Sequence, residues 1–271
     1  MSQHSSGPKL DTETRAGYDR RDSDHWTKLE DLISRSGLSL KDVLLDYAAF
    51  IRRRDLPRLL CRYELFKKIE HLPYTTLFRS PGSIAELGVF RGSGLFTWGN
   101  LLETFCPGDR TRMVYGFDHF QGYKNLTKED GSAAAWIDNT IGRMVSDGDF
   151  LKELIDLHTA DNMLPGVERC RIIDGDITDT VSDFAARNMG VRLSMLYFDI
   201  GPYEPTVAAL EHLYPLVLPG GIVAFNSYGM PPWQGEADAI EAYFKPLGGV
   251  PRMQKFPFSA VPHAYFVKGE A

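Results

Sequence analysis

The chain has 271 residues, a formal net charge of −6 and a hydrophobic content of 43%. This composition is typical of a folded domain, and the negative charge argues against a nucleic-acid-binding protein that works through a general basic field. Cys61, Cys106 and Cys170 are widely spaced and indicate neither a zinc site nor a disulfide framework. No stretch approaches the ~18 apolar residues of a membrane span. The first residues lack the apolar core of a signal peptide, so the sequence predicts a cytoplasmic protein without a membrane partner.

The first 82 residues are predicted to precede the main domain. Residues 1–22 are rich in charge and poor in aliphatic side chains, which predicts a flexible tail. Residues 23–82 show helical periodicity and are predicted to form a helical cap. Within the cap, residues 74–80 resemble a translated sequencing adapter. That segment is either a cloning artefact or a surface loop.

A basic segment lies in the predicted cap. Residues 52–54 are three consecutive arginines, and Arg58 and Arg62 follow at helical spacing within a helix predicted over residues 56–69. Charged runs of this kind are common on the exposed faces of surface helices. The pattern therefore favours a solvated helix face over a binding surface.

From residue 83 onwards, short apolar strands alternate with amphipathic helices, a pattern typical of βαβ units in a parallel sheet. We therefore predict one doubly wound, Rossmann-like α/β domain over residues 83–271. Strands are predicted at residues 83–89, 113–118, 169–174, 193–199 and 221–226. An antiparallel C-terminal strand pair, residues 252–258 and 263–268, is predicted to complete the sheet. Residues 119–168 are too long for a simple connection and are predicted to form an inserted helical lid.

The most informative motif is the sequence IAELGVFRGSG at residues 84–94. An apolar strand carries Glu86 near its end, and Gly88, Gly92 and Gly94 lead into a helix. Glycine permits a tight turn and lets a ligand approach the backbone closely, so Gly88→Val is expected to abolish ligand binding and leave the fold intact. The spacing differs from the G-x-G-x-x-G of nicotinamide-binding proteins. The acidic residue suits a ligand with an ammonium group, such as S-adenosyl-L-methionine; the alternative is a strand–turn–helix without a ligand.

Acidic residues also follow the later predicted strands. Asp118 is placed to accept hydrogen bonds from ribose hydroxyls, and Asp176 is a candidate acceptor for an adenine amino group. Thr178 is the candidate N-cap of the next helix. Asp199 ends the fourth strand, where the reacting group is expected to lie. His119 is a candidate catalytic base because an imidazole titrates near neutral pH, although a polar surface role is the alternative.

Taken in order, these segments resemble the macrocin O-methyltransferase group of sugar O-methyltransferases from antibiotic pathways. The resemblance runs over residues 63–244. It rests on ELGVFRG at residues 86–92, YGFD at 115–118, GD at 175–176, Asp199 with YEPT at 203–206, and the stretch from LYP at 213–215 to PGG at 219–221. It implies a class I methyltransferase fold and S-adenosyl-L-methionine as the cofactor. It also implies a small hydroxylated acceptor, such as a sugar, and a place in secondary-metabolite biosynthesis.

One departure from this family concerns a metal ion. Members of the family carry one aspartate after the fourth strand and two adjacent aspartates after the fifth, and together these bind magnesium. Here Asp199 holds the first position, whereas Asn226 and Ser227 replace the other two. The resemblance makes Asp199 and Asn226 candidate Mg²⁺ ligands, but we expect no obligatory metal. Asp199 then becomes the candidate base for the acceptor hydroxyl.

Two other functions are compatible with the sequence. The first is a cofactor-binding regulatory protein whose metal site has degenerated. The second is a nicotinamide-dependent oxidoreductase, which the glycine spacing disfavours. A homo-oligomer of the chain is compatible with each of these functions. The aromatic stretch at residues 228–233 is a candidate wall of the acceptor pocket, with a loop anchor as the alternative.

Overall fold

The structure is a computed structural model that describes residues 12–53, 55–70, 82–133 and 144–270. The chain divides into two compact units, residues 1–53 and residues 54–271. The predictions for residues 1–11 and for the adapter-like residues 74–80 lie outside the described ranges. No helix in the described ranges is both long and apolar enough to cross a membrane.

The described part of the first unit, residues 12–53, contains three helices: α1 (Thr12–Ser36), α2 (Leu40–Leu45) and α3 (Tyr47–Phe50). Helix α1 begins inside the segment predicted to be a flexible tail, so the described part of that segment, residues 12–22, is helical. A capping box between Ser39 and Asp42 fixes the start of α2, because each side chain accepts a hydrogen bond from the other residue's backbone N–H.

The second unit contains a six-stranded sheet. Its strands are β1 (Ser83–Leu87), β2 (Val114–Asp118), β3 (Cys170–Asp174), β4 (Leu193–Phe198), β5 (Val217–Phe225) and β6 (Ala264–Val267). They lie in the order β3-β2-β1-β4-β5-β6, with β5 and β6 antiparallel and every other neighbouring pair parallel. This arrangement confirms the predicted doubly wound α/β fold.

Helices cover both faces of this sheet. They are α4 (Leu56–Glu70), α5 (Ser93–Phe105), α6 (Gly148–Asp161), α7 (Ile177–Arg187), α8 (Tyr203–His212) and α9 (Gln234–Phe244). Successive strand residues point to opposite faces, so Ile84 packs with α4, α5 and α6 in one apolar cluster. Its neighbour Ala85 packs with α7, α8 and α9 in the other. Helix α4 therefore belongs to the sheet unit and not to a separate cap over residues 23–82.

The predicted C-terminal strand pair differs in one respect from the structure. The antiparallel pair consists of β5 and β6, whereas the predicted strand over residues 252–258 contributes a single bridge between Gln254 and Tyr265. Beyond this bridge, residues 252–258 form no strand in the structure.

The strand order places a crevice at the carboxyl ends of the parallel strands. The chain leaves β1 towards β2 on one side, and β4 follows on the other side of β1. In open α/β sheets, ligands bind where the strand order reverses, beyond the carboxyl ends of the strands. The fold therefore brings the residues after β1, β2 and β4 to one place.

Candidate active site

A cleft of about 390 Å³ lies at the carboxyl ends of the parallel strands. Its volume is in the range of small-molecule sites. The lining includes most of the residues predicted from the sequence: Glu86, Gly88, Gly94, Asp118, His119, Asp176, Asp199, Asn226 and Ser227. Gly92 is the exception among the predicted cofactor-binding residues, since it does not line the cleft.

The glycines after β1 have structural roles that the sequence did not distinguish. A Cβ atom on Gly88 would lie 2.3 Å from the carbonyl oxygen of Asp199, so its absence lets the chain after β1 approach the chain after β4. The prediction that Gly88→Val leaves the fold intact is therefore wrong, because valine would collide with backbone. Gly92 has a φ of 83° and forms the turn into α5.

Glu86 is a buried acid at the floor of the cleft, with 1% of its surface exposed. Burial raises the pKa of its carboxyl to about 8, against the opposing effect of the nearby Arg62 guanidinium. Its Oε2 atom accepts no hydrogen bond from the described residues. A Cβ atom on Gly94 would lie 1.6 Å from Oε1, so glycine at this position makes room for the carboxyl. The unpartnered oxygen fits a ligand that brings an ammonium group.

Asp118 holds the loop between β1 and α5 in place through hydrogen bonds. Its Oδ2 atom accepts hydrogen bonds from the backbone N–H groups of Val89 and Phe90, each at 2.8 Å. Its Oδ1 atom accepts one from the N–H of Phe120 at 2.7 Å. An ionised carboxylate has about four acceptor positions, so roughly one is left for a ribose hydroxyl. Asp118 therefore has a structural role in addition to the predicted contact with a ribose hydroxyl.

Asp176 and His119 also differ in detail from the sequence predictions. Asp176 is itself the N-cap of α7, and its Oδ1 atom accepts hydrogen bonds from the N–H and Oγ1–H groups of Thr178. Thr178 is therefore not the cap. The Nδ1 atom of His119 accepts a hydrogen bond from the N–H of Gln121 at 3.1 Å. This hydrogen bond occupies the lone pair of Nδ1.

Asp199 lies at the centre of a polar network. Arg58 forms an ion pair with its Oδ2 atom, and Nη2 of Arg62 lies 3.8 Å from the same oxygen. The side-chain amide of Asn226 donates a hydrogen bond to its Oδ1 atom. The hydroxyl of Tyr197 in turn donates to Oδ1 of Asn226 at 3.0 Å. Both oxygens of Asp199 are therefore held by positively charged or N–H donor groups.

Two arginines of α4 belong to this network, although the sequence pattern favoured a solvated helix face. Arg62 is buried, donates to Oγ of Ser93 at 3.0 Å and lies 3.9 Å from Glu86, while Arg58 lines the cleft. The prediction of a solvated helix face is wrong for these two residues. Residues four apart share a helix face, and the next position in the series is the buried Phe66. That spacing was the available signal that the arginines point inwards.

The magnesium ligands implied by the family resemblance do not fit this site. Both carboxylate oxygens of Asp199 are engaged, and the amide oxygen of Asn226 accepts from Tyr197. Magnesium requires hard oxygen ligands, usually with one or two free carboxylates. Across the parts of the chain that the structure describes, no three His, Cys, Asp or Glu side chains are grouped to hold a metal ion.

A second buried acid, Glu236, lies behind the loop after β5. Its Oε2 atom accepts a hydrogen bond from the N–H of Ser227 at 2.9 Å, and burial raises the pKa of its carboxyl to about 8. The predicted acceptor wall lies on the same loop, where the ring of Trp233 packs against Tyr123 with 4.9 Å between centroids. Tyr123, Met230 and Trp233 all line the cleft.

A comparison with known families identifies the chain. The family model described as macrocin-O-methyltransferase (TylF) matches residues 75–250. The chain belongs to this family. The match covers the sheet through β5 and the lining of the cleft apart from Arg58, Arg62 and Val261. It confirms the resemblance inferred from the motifs.

Two characterised members are similar to part of the chain. Mycinamicin III 3''-O-methyltransferase of Micromonospora griseorubida is 28% identical over 162 residues, which cover 56% of this chain and 57% of the relative. Demethyldecarbamoylnovobiocin O-methyltransferase of Streptomyces niveus is 30% identical over 170 residues, which cover 60% of each. The matched region thus spans less than two thirds of these relatives.

The fold extends the likeness over the whole chain. A crystal structure of the calicheamicin methyltransferase CalS11 superposes with a TM-score of 0.77 at 25% identity, covering 99% of this chain and 100% of that one. Another structure of CalS11, described as a TDP-rhamnose 3'-O-methyltransferase, gives a TM-score of 0.72 at 26% identity and covers 92% of this chain and 95% of that one. The predicted class I methyltransferase fold is confirmed.

Proposed function

We propose that the chain is an S-adenosylmethionine-dependent O-methyltransferase whose acceptor is a hydroxyl group of a sugar. The observation that carries the proposal is Glu86, a buried carboxyl with an unpartnered oxygen in a cleft at the switch point of a methyltransferase fold. Membership of a family of O-methyltransferases supports the reaction type. The cofactor, when bound, supplies a methyl group on a positively charged sulfur.

Three acidic residues are proposed to hold that cofactor. Glu86 binds the ammonium group, because its Oε2 atom is an open acceptor and the guanidinium of Arg62 lies 3.9 Å away, at the other oxygen. Asp118 accepts from a ribose hydroxyl with the position that its backbone bonds leave open. Asp176, at the start of α7, lines the cleft and is proposed to accept a hydrogen bond from the adenine amino group. Gly94 makes room for the carboxyl of Glu86, and Gly88 lets the chain after β1 approach the chain after β4.

The other end of the cleft is proposed to bind the acceptor. Tyr123, Met230 and Trp233 present aromatic and apolar surface that suits the face of a sugar ring. The similar CalS11 is described as acting on TDP-rhamnose, and the mycinamicin and novobiocin enzymes act on antibiotics. We therefore infer a deoxysugar acceptor, carried either by a nucleotide or by a natural product. A cytoplasmic location and assembly as a homo-oligomer stay predictions from the sequence.

Asp199 is proposed to accept the hydroxyl proton. Arg58 and Asn226 take one acceptor position on each of its oxygens, so each oxygen keeps a lone pair for a proton. As a general base, the carboxylate takes the hydroxyl proton while the oxygen attacks the methyl carbon, so that negative charge develops on that oxygen. The rest of the catalytic effect is alignment of the two substrates and exclusion of water.

Calorimetric titration distinguishes this proposal from the nicotinamide-dependent alternative. S-adenosylhomocysteine is expected to bind to the purified chain with a measurable heat, and NADH is expected to give none, because the E-x-G-x-x-x-G-x-G loop differs from the dinucleotide fingerprint. Glu86→Gln, which keeps the shape of the side chain, serves as the site control and is expected to lower the affinity for S-adenosylhomocysteine. Binding of NADH in place of S-adenosylhomocysteine would reject the proposed cofactor.

A further inference from the structure

Resting on the proposed function, we propose that Arg58 is a catalytic residue: its guanidinium supplies the fixed positive charge beside the acceptor oxygen, so that the site needs no divalent metal ion. The side chains that surround Asp199 do not match the implied magnesium ligands. An arginine of α4 therefore takes the electrostatic role that a metal ion would otherwise have.

Arg58 and Arg62 have different positions on the same carboxylate. The side chain of Arg62 is 3% exposed and is fixed by Ser93 and by its approach to Glu86. The side chain of Arg58 is 41% exposed, lines the cleft and is anchored at one end by Asp199. Arg62 therefore stabilises the floor of the site, whereas Arg58 presents its charge to whatever enters the cleft.

The guanidinium of Arg58 also has unused hydrogen-bonding capacity. A guanidinium has five N–H donors in a fixed fork. One Nη2–H group of Arg58 donates to Asp199, and its buried Nε–H group has no hydrogen-bond partner among the described residues. Because Asp199 fixes the orientation of the fork, the remaining donors are preorganised for an oxygen ligand.

The orientation of Asn226 makes the same site unsuitable for a metal. Its amide nitrogen points at Asp199 and its amide oxygen at the hydroxyl of Tyr197. The reverse orientation would set the amide oxygen against a carboxylate oxygen, with two acceptors facing each other. A divalent cation at Asp199 would therefore meet two guanidinium groups and an N–H donor instead of an oxygen cage.

The proposed chemistry is a single displacement. A bond forms between the acceptor oxygen and the methyl carbon while the carbon–sulfur bond breaks, and its electron pair passes to the sulfur, which becomes neutral. The hydroxyl proton passes to the carboxylate of Asp199. As the proton leaves, negative charge develops on the acceptor oxygen, and a hydrogen bond from Arg58 stabilises that charge.

Metal binding and turnover test this inference separately. Manganese(II) binding, followed by electron paramagnetic resonance, is expected to be absent from the wild-type site. Asn226→Asp with Ser227→Asp is expected to bind the ion weakly, and the same pair combined with Arg58→Ala is expected to bind it more tightly. Manganese bound to the wild-type chain and lost in Asp199→Asn would overturn the inference, whether or not an acceptor has been found.

The turnover arm uses arginine variants. Arg58→Ala is expected to lower kcat by ~100-fold or more, the usual effect of removing a preorganised donor from a developing oxyanion, with S-adenosylhomocysteine affinity little changed. Arg58→Lys keeps the charge and is expected to retain part of the rate. Arg187→Ala on the exposed face of α7 is the matched control. Wild-type turnover that is lost in EDTA and restored by magnesium would contradict the proposal. If the chain methylates no acceptor, the proposed function is rejected, and the manganese experiment alone then tests the role of Arg58.

Discussion

Asp199→Asn is expected to lower turnover by at least ~100-fold while the variant stays folded. The substitution removes the carboxylate that accepts the proton and that anchors Arg58, yet the amide oxygen still accepts a hydrogen bond from one guanidinium. We expect the loss to be concentrated in kcat, because the changed group acts on the acceptor hydroxyl. Steady-state kinetics with S-adenosylmethionine, together with circular dichroism, measures both effects.

A surface substitution provides the control for this experiment. Asp183 on α7 forms an exposed ion pair with Arg187, so Asp183→Asn makes the same chemical change far from the proposed chemistry. Exposed ion pairs contribute little to stability, and this variant is expected to behave as the wild type. If Asp199→Asn retained the turnover of Asp183→Asn, Asp199 would have no role in the proton transfer.

The affinity for S-adenosylhomocysteine is expected to rise with pH as Glu86 loses its proton. Burial raises the pKa of Glu86 to about 8 in the free chain, so near neutral pH the carboxyl is mostly protonated. The ammonium group binds the ionised form, and binding must therefore release a proton. Below about pH 8 the affinity is expected to fall by about tenfold for each pH unit. Calorimetry in buffers of different ionisation enthalpy measures both the affinity and the proton release.

Glu236 offers a matched control for this pH dependence. Burial raises the pKa of its carboxyl to about 8 as well, but Glu236 does not line the cleft. Glu86→Gln is expected to weaken binding at the higher pH and to remove the pH dependence. Glu236→Gln is expected to retain it. A wild-type affinity that stays constant from about pH 6 to about pH 8, together with an unchanged affinity in Glu86→Gln, would show that Glu86 does not bind the ammonium group.

The strands and the acidic residues after them could be predicted because their signals are local. A fully buried parallel strand is a short apolar run, and the sequence therefore located β1, β2, β3 and β4 to within two residues at each end. Strand β5 begins earlier than predicted, at Val217, because its Pro-Gly-Gly segment looks like a turn and in the structure belongs to an irregular part of the strand. The sheet topology then brings Glu86, Asp118 and Asp199 together at the carboxyl ends of the strands.

The groups around Asp199 could not be predicted because their contacts are not local. Arg58 precedes Asp199 by 141 positions in the chain, and its place in α4 gave the appearance of an ordinary charged helix. Asn226 looked like a lost metal ligand, whereas in the structure it donates to Asp199 and accepts from Tyr197. Glu236 lies in an amphipathic helix whose sequence does not show that this one acid is buried. The helical spacing of Arg58, Arg62 and Phe66 indicates which side of α4 faces inwards. The carboxylate that the arginines contact depends on how that helix packs against the cleft, and the local pattern does not show it.

Transfer of an isotopically labelled methyl group tests the central claim most directly. The wild-type chain is incubated with S-adenosylmethionine that carries a trideuteromethyl group and with a panel of nucleotide-linked and natural-product-linked deoxysugars, and the products are analysed by mass spectrometry. We expect one trideuteromethyl group on a sugar hydroxyl and an equal amount of S-adenosylhomocysteine, with the product lost in Asp199→Asn. Tight binding of S-adenosylhomocysteine without a labelled sugar from any member of the panel would contradict the account and favour a regulatory cofactor-binding protein.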